Sequence, residues 1–321
     1  MDQITSRSCD YQQDRERLLE LLLIYRAATD IRLYPTIWRI QLLLTSRVWQ
    51  PEKDTQIWKN KAGQIIGFVM LWRRKPDSDY IIFDGFIHPQ YLNDKLPLLM
   101  FEWGNQRAKT IGMELRASVT VFANGFSDAN FIDQIQQKFG YEPITQSPDQ
   151  FNVYFSKELG KKISTYNMPE GCEIEYLNTS NLEKYRSLHS FAQVNRQHQK
   201  EQLISDEYCH LVVVNKNDDF LAYCECSVCH AEWEITQKRI GWIDYIETKP
   251  EFQRKGYGQM ALLAGLSKLA EWGADTAMLV TINTNLPAVG LYKKAGFKDE
   301  NIVEPPRYKK QYKWHTAGDE P

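Results

Sequence analysis

The sequence predicts an α/β protein built as two tandem copies of one module, and three observations carry that expectation. Strand-type and helix-type runs alternate along both halves of the 321 residues. From Gly241 to Phe297 the order is strand, glycine-bearing turn, helix, strand, helix. Landmarks of the first half recur at near-constant spacing: Pro89 and Pro250 lie 161 residues apart, Gly140 and Gly296 156, and Gly67 and Leu221 154.

In chain order, a short strand is expected near Gln3–Arg7. An amphipathic helix follows over Asp10–Ala28, with Leu18, Leu21, Leu22 and Tyr25 at helical spacing. A second helix over Pro35–Arg47 carries Trp38, Leu42 and Leu43. Gln56–Trp72 reads as a hairpin turning at Lys59–Gly63, and Tyr80–Ile87 as a strand stopped by His88-Pro89. A helix over Pro97–Thr110, a strand over Leu115–Phe122 and a helix ending at Gly140-Tyr141 complete the first module, residues 1–157. A polar linker, 158–170, holds Gly160 and Pro169.

The second module, 171–316, opens with a strand at Cys172–Tyr176 and a helix at Asn181–Gln193. Arg196–Glu207 is aperiodic and reads as a loop on the substrate side. Tyr208–Val214 and Phe220–Glu232 form a hairpin around Asn217–Asp219. Gly241–Glu247 is the central strand, closed by Lys249-Pro250. A helix runs from Gly258 to Trp272 with Gly273 as its C-terminal glycine, then a buried-type strand over Thr276–Ile282. Asn285-Leu286-Pro287-Ala288 starts the last helix, with proline in its first turn, and Arg307–His315 reads as the last strand before a frayed tail, 317–321.

Hydrophobic residues make up 43% and charged residues 25%, a globular balance, and the net charge of −2 supplies no bulk attraction to nucleic acid or anionic membrane. The start of the chain has neither a basic nor an apolar signal region, and the greasiest run, Leu18–Tyr25, is too short to span a bilayer. A cytoplasmic protein, monomer or homodimer, is the expectation, with cysteines 9, 172, 209, 224, 226 and 229 reduced. Cys226-Ser227-Val228-Cys229-His230 matches a haem-attachment pattern. Covalent haem needs an exported chain and zinc a convergent fourth ligand, so the cysteines read as structural and no metal is expected.

The chemistry centres on Gln253-Arg254-Lys255-Gly256-Tyr257-Gly258. Unpaired backbone N–H groups at a helix start, aided by the helix dipole, capture anions. Gly256 and Gly258 admit a diphosphate without a Cβ in the way. No Gly-Lys-Ser/Thr follows, and the third glycine of a dinucleotide fingerprint is missing, which excludes both of those nucleotide motifs.

On these residues the segment resembles the acyl-CoA-binding core of the GNAT N-acetyltransferase superfamily. Gln253, Gly256 and Gly258 match its Gln/Arg-x-x-Gly-x-Gly/Ala signature. Asn285, Ala288, Leu291, Tyr292, Lys294, Gly296 and Phe297 match its later Asn-x-x-Ala and Leu-Tyr-x-Lys-x-Gly-Phe signature. The resemblance implies two tandem folds of mixed, mostly antiparallel sheet flanked by helices, organised like mycothiol synthase. It implies acetyl-CoA as acyl donor, held by Gln253, Arg254, Lys255, Gly256, Tyr257, Gly258, Asn285 and Ala288, with a primary amine as acceptor. The N–H of Ile246 would polarise the thioester carbonyl, and Tyr292 would protonate the leaving sulfur.

Relatives commonly carry a glutamate eleven residues before the Gln/Arg; here Trp242 occupies that place. Strand alternation puts Trp242, Asp244 and Ile246 on one face and Ile243, Tyr245 and Glu247 on the other. Asp244 is therefore the first candidate base, and Glu247 the second, should a bulge turn it inward. The first copy has Leu92-Asn93-Asp94-Lys95-Leu96-Pro97 where the second has its turn, which removes both glycines and one N–H donor, so a cofactor-empty scaffold is expected there. The function expected is an acetyl-CoA-dependent N-acetyltransferase acting on a small amine or peptide by direct transfer. The alternatives are a non-catalytic CoA-responsive module, which loss of the strand glutamate permits, or an acyltransferase with another donor or acceptor.

Overall fold

The structure is a computed structural model, and it describes residues 4–33, 35–46, 49–123, 137–144, 151–160, 170–178, 180–181, 205–217, 219–302, 304 and 307–314. The expected helix at Asn181–Gln193 and most of the Arg196–Glu207 loop lie outside them. Two compact units divide the chain: residues 1–31, 41–145 and 303–321, and residues 32–40 and 146–302.

The first unit holds β1 (Thr5–Ser8), α1 (Tyr11–Ala27), α3 (Pro51–Asp54), β2 (Thr55–Lys59), β3 (Ile65–Trp72) and β4 (Tyr80–Ile87). It continues with α4 (Leu96–Leu115), β5 (Val119–Ala123) and β6 (Glu142–Pro143). The helix α2 (Ile37–Leu44) is shorter than the sequence suggests. Apolar residues on alternate positions of β3 and β4 meet Leu96, Met100, Phe101, Ala108 and Ile111 from one stripe of α4.

The second unit holds β7 (Asn152–Glu158), β8 (Cys172–Tyr176), β9 (Tyr208–Asn215), β10 (Phe220–Ser227) and α5 (His230–Thr236). Then come β11 (Ile240–Thr248), α6 (Tyr257–Glu271), β12 (Thr276–Ile282), α7 (Leu286–Lys294) and β13 (Lys298–Asp299). The expected strand over Phe220–Glu232 stops at Ser227, and α5 begins at His230, its backbone N–H donating to Glu207 Oε1 at 2.7 Å. All six cysteines are free thiols; Cys224 and Cys226 lie in the core of this unit, and among the described residues no cluster could hold a metal.

Strand order shows the duplication directly. The second sheet runs β8-β9-β10-β11-β12-β7-β13, and the first runs β1-β2-β3-β4-β5-β14-β6, with β14 at Tyr308–Tyr312. Each is mixed: antiparallel but for one parallel pair, β4 with β5 and β11 with β12. The sixth strand of each sheet comes from the other half of the chain. β7, the last strand of the first repeat, pairs with β12 from Thr276↔Glu158 to Ile282↔Asn152. β14, the last strand of the second repeat, pairs with β5 from Tyr308↔Ala123 to Tyr312↔Val119. A linear division at 157 and 171 therefore does not describe the units, and Arg307–His315, expected to finish the second module, contributes its strand to the first sheet. The physical reason is that either terminal strand satisfies the same antiparallel edge, so pairing partner is set by chain routing rather than by local pattern.

Among the described residues no helix is long and apolar enough to cross a membrane.

Candidate active site

The central strand β11 pairs in parallel with β12 only from Ile240↔Thr276 to Trp242↔Met278. Past that point β12 stays on β7 and β11 stays on β10, so the two strands diverge and a wedge opens between them. Lys249 N–H donates to Leu221 O on the β10 side at 3.0 Å. Alternation from there turns the N–H groups of Glu247 and Tyr245 toward β10, and those of Ile246 and Thr248 toward the wedge. Ile246 thus presents a backbone donor where the sheet has parted.

The pairing of β10 with β11 shifts between Glu225↔Tyr245 and Cys226↔Ile243, which leaves Asp244 as the extra residue of a β-bulge. The bulge overturns the strict alternation expected from the sequence. Ile243 and Ile246 both pack into the core beneath α6. Asp244 and Glu247 both turn to the opposite face, so Ile246 does not share a face with Asp244. Glu247 Oε2 accepts from Tyr223 and Tyr245, each at 3.3 Å.

Asp244 sits among polar side chains. Thr36 O–H donates to its Oδ1 at 3.4 Å while Thr36 Oγ1 accepts from Arg39 N–H at 3.1 Å, so the cap of α2 also touches the carboxyl. Residues 32–40 belong to the second unit, although they come from the first half of the sequence. Burial raises the Asp244 pKa to about 7; the Ser227 hydrogen bond opposes the rise and the Glu225 charge adds to it. A carboxyl in that range is ionised at and above neutral pH yet binds a proton readily, as a general base requires.

The turn presents a row of backbone amides. A single 3-10 turn, Pro250–Phe252, leads into Gln253, whose side-chain N–H donates to Thr248 O at 3.2 Å and fixes the end of β11. Arg254 and Gly256 both have positive φ, 61° and 90°, which turns successive amides toward one concave side. Lys255 Nζ lies 5.5 Å over the Phe252 ring, and Phe252 meets Tyr257 edge-on. Met260 N–H is the first returned within α6, to Gly256 O, which leaves the amides of Tyr257, Gly258 and Gln259 without intrahelical acceptors. A Cβ on Gly256 would meet open space, so its requirement is conformational. A Cβ on Gly258 would lie 2.7 Å from Thr248 Oγ1, so that glycine also lets the helix start approach β11, a packing reason the sequence did not reveal.

Asn285 precedes the first turn of α7 without capping it, its side-chain amide donating instead to Thr281 Oγ1 at 3.4 Å; Ala288 packs on the core one turn later. Tyr292 is 5% exposed, its ring tilted against Phe155 and Phe297. Burial, with Cys224 adding to it, pushes the Tyr292 phenol above its ordinary range, so it keeps its proton.

The corresponding stretch of the first unit is built differently. Its helix α4 is entered through Lys95 in an ordinary right-handed conformation, and Asp94 Oδ1 accepts from Lys95 N–H at 2.7 Å. The carboxylate takes an amide that an incoming phosphate would need. Leu96 is fully buried and Pro97 supplies no N–H.

With this geometry in view, residues 174–297 match the Acetyltransferase (GNAT) family. That match lies within the second unit. The uncharacterized N-acetyltransferase YvbK of Bacillus subtilis (strain 168) is 30% identical over 93 residues, 26% of this chain and 60% of its own length. The mycothiol acetyltransferase of Streptomyces bingchenggensis is 39% identical over 61 residues, 19% of this chain and 20% of its own. The alignments thus span less than two thirds of either relative. Among solved structures, a tandem GNAT protein from the clavulanic acid biosynthesis pathway matches with 12% identity over 98% of this chain and 100% of its own, at a TM-score of 0.63. A GCN5-related N-acetyltransferase from Sphaerobacter thermophilus matches with 14% identity over 98% and 96%, at 0.58. At such identities the likeness is one of fold, and the fold is two tandem GNAT modules.

The sequence missed Tyr208, His210 and Glu225, which lie buried beside Asp244. Tyr208 O–H donates to Glu225 Oε2 at 2.9 Å, its oxygen lies 2.8 Å from His210 Nε2, and Trp38 stacks on its ring at 3.9 Å. The signal was a carboxylate, Glu225, inside an otherwise apolar strand, opposite a Tyr-x-His pair that alternation puts on one face.

Proposed function

We propose that the second unit binds acetyl-CoA through the Gln253–Gly258 turn and transfers the acetyl group directly to a primary amine. The observation that carries this reading is the wedge between β11 and β12, which offers the Ile246 N–H beside the start of α6. The amine lone pair attacks the thioester carbonyl carbon, and the charge that develops on oxygen accepts a hydrogen bond from Ile246 N–H. Collapse breaks the C–S bond. Asp244 takes the proton released by the amine nitrogen, and Tyr292 supplies one to the departing sulfur. The diphosphate rests on the amides of the turn, with Arg254, Lys255 and Tyr257 beside it, and Asn285 and Ala288 line the approach of the pantetheine arm. The first unit binds no CoA in this manner, because Asp94, Leu96 and Pro97 occupy or remove what the phosphates require.

The test is thiol release from acetyl-CoA with a panel of small primary amines and short peptides bearing free amino termini. At least one amine is expected to raise release well above hydrolysis, with acetyl recovered on that amine by mass spectrometry. Binding of acetyl-CoA without amine-dependent release by any member would instead favour a CoA-responsive module.

A further inference from the structure

We infer that Glu225 is a positioning residue for the transfer, a second carboxylate that acts on the amine through Asp244 while Tyr208 and His210 lock its orientation. The inference rests on Asp244 as the proton acceptor proposed above. Glu225 is 5% exposed, and it stands opposite Tyr245 on the neighbouring strand, at the position where the bulge begins. Burial on this scale is rare for a glutamate without a cationic partner.

The proton positions follow from counting. Tyr208 has one hydroxyl proton, and it goes to Glu225 Oε2. The contact between Tyr208 oxygen and His210 Nε2 then needs its proton from the imidazole, which fixes the Nε2–H tautomer. His210 Nδ1 faces Glu225 Oε1 from 3.6 Å, beyond a hydrogen bond. Burial lowers the His210 pKa, so the ring is neutral and brings no positive charge to Glu225. Glu225 is therefore oriented by a phenol donor and not by a cation.

Glu225 Oε1 and Asp244 Oδ2 are both shielded from solvent and accept no hydrogen bond. Two acidic groups thus share one face of adjacent strands with one unsatisfied oxygen each. Among the described residues, the other groups whose charge bears on Asp244 include Arg39 from α2, Tyr208 from β9, and Cys224 and Cys226 from β10. The phenol and both thiols are pushed well above their ordinary range by burial, so they stay neutral through the working pH. Arg39 favours the ionised form of Asp244 and Glu225 opposes it. Burial is the larger cause of the proton affinity of Asp244, and Glu225 is the charged group on this face that adds to it.

The experiment follows Asp244 by carboxyl 13C NMR in the full chain, its resonance assigned by loss in Asp244→Asn, over pH 5–9. Glu225→Gln is expected to move the midpoint down by about one pH unit, a tenfold change in proton affinity. The acid limb of kcat/KM should move with it, using the amine that gives the fastest thiol release. Glu225→Ala, which removes the same charge, should move the midpoint in the same direction and serves if Glu225→Gln does not fold. An unchanged midpoint in whichever variant folds would overturn the inference and leave the proposed transfer standing. A midpoint that moves while the rate profile does not follow would overturn both Asp244 as base and Glu225 as its partner.

Discussion

Expressed without the first half, residues 171–321 should yield no soluble, folded protein. That fragment lacks β7, whose pairing with β12 runs from Glu158 to Asn152 and which buries Tyr154 and Phe155 against the second unit. Losing a single buried aromatic typically costs about 3–5 kcal/mol, and a whole domain is stable by about 5–15 kcal/mol. Two such residues, with the backbone bonds of the strand, are comparable with that whole margin. The fragment would also carry β14 with its own partner, β5, missing. Starting at residue 146 and ending at 302 restores β7 and discards β14, so far-UV circular dichroism and a cooperative melt should reappear. Residues 32–40 would still be absent, and with them the Thr36 contact to Asp244, so activity should remain low even where folding is recovered. A folded, active 171–321 fragment would show that the strand exchange is dispensable.

Asp244→Asn should lower turnover and raise stability together. Above its midpoint near 7 the buried carboxyl is ionised and can take the amine proton; below it, the carboxyl already holds a proton and the substitution removes little. The loss in kcat/KM is therefore expected to grow from pH 6 to pH 8.5, reaching about 10²-fold. Stability has the opposite sign. A carboxyl whose folded pKa lies above its unfolded value binds more protons when folded, so wild-type stability falls as pH rises from about 4 to about 7. Asparagine does not ionise, and at pH 8 it should stabilise the chain by a few kcal/mol, each tenfold difference in proton affinity between folded and unfolded chain being worth about 1.4 kcal/mol. Tyr292→Phe should differ: kcat down by about 10²-fold at every pH, with acetyl-CoA affinity retained. Rate profiles with thermal melts at pH 6 and pH 8 check both. If Asp244→Asn leaves the pH dependence intact while Glu247→Gln changes it, the base is Glu247.

What the sequence made legible was local. The turn from Gln253 to Gly258, the helix after it and the strand Thr276–Ile282 announce themselves through glycine placement and short apolar runs. The duplication was visible too, because Pro89 and Pro250 each end a central strand with the same single 3-10 turn. The exchange of β7 and β14 was hidden, since nothing in an alternating edge strand states which of two similar sheets it joins. The bulge at Asp244 was hidden for a related reason. Period-2 reading assigns faces correctly only while register holds, and one extra residue moved Ile246 to the helix side and Glu247 to that of Asp244. Thr36 and Arg39 carried no signal, because their contact with Asp244 bridges about two hundred residues of chain.

Titration of the full chain with acetyl-CoA by calorimetry tests the central claim most directly, that binding and transfer belong to the second unit alone. One equivalent should bind per chain. Gly258→Val should abolish that binding, since its side chain meets Thr248 Oγ1 and displaces the start of α6, while Asp94→Gly in the first unit should add no second equivalent. Two equivalents in the wild type, or one that survives Gly258→Val at wild-type affinity, would contradict the account.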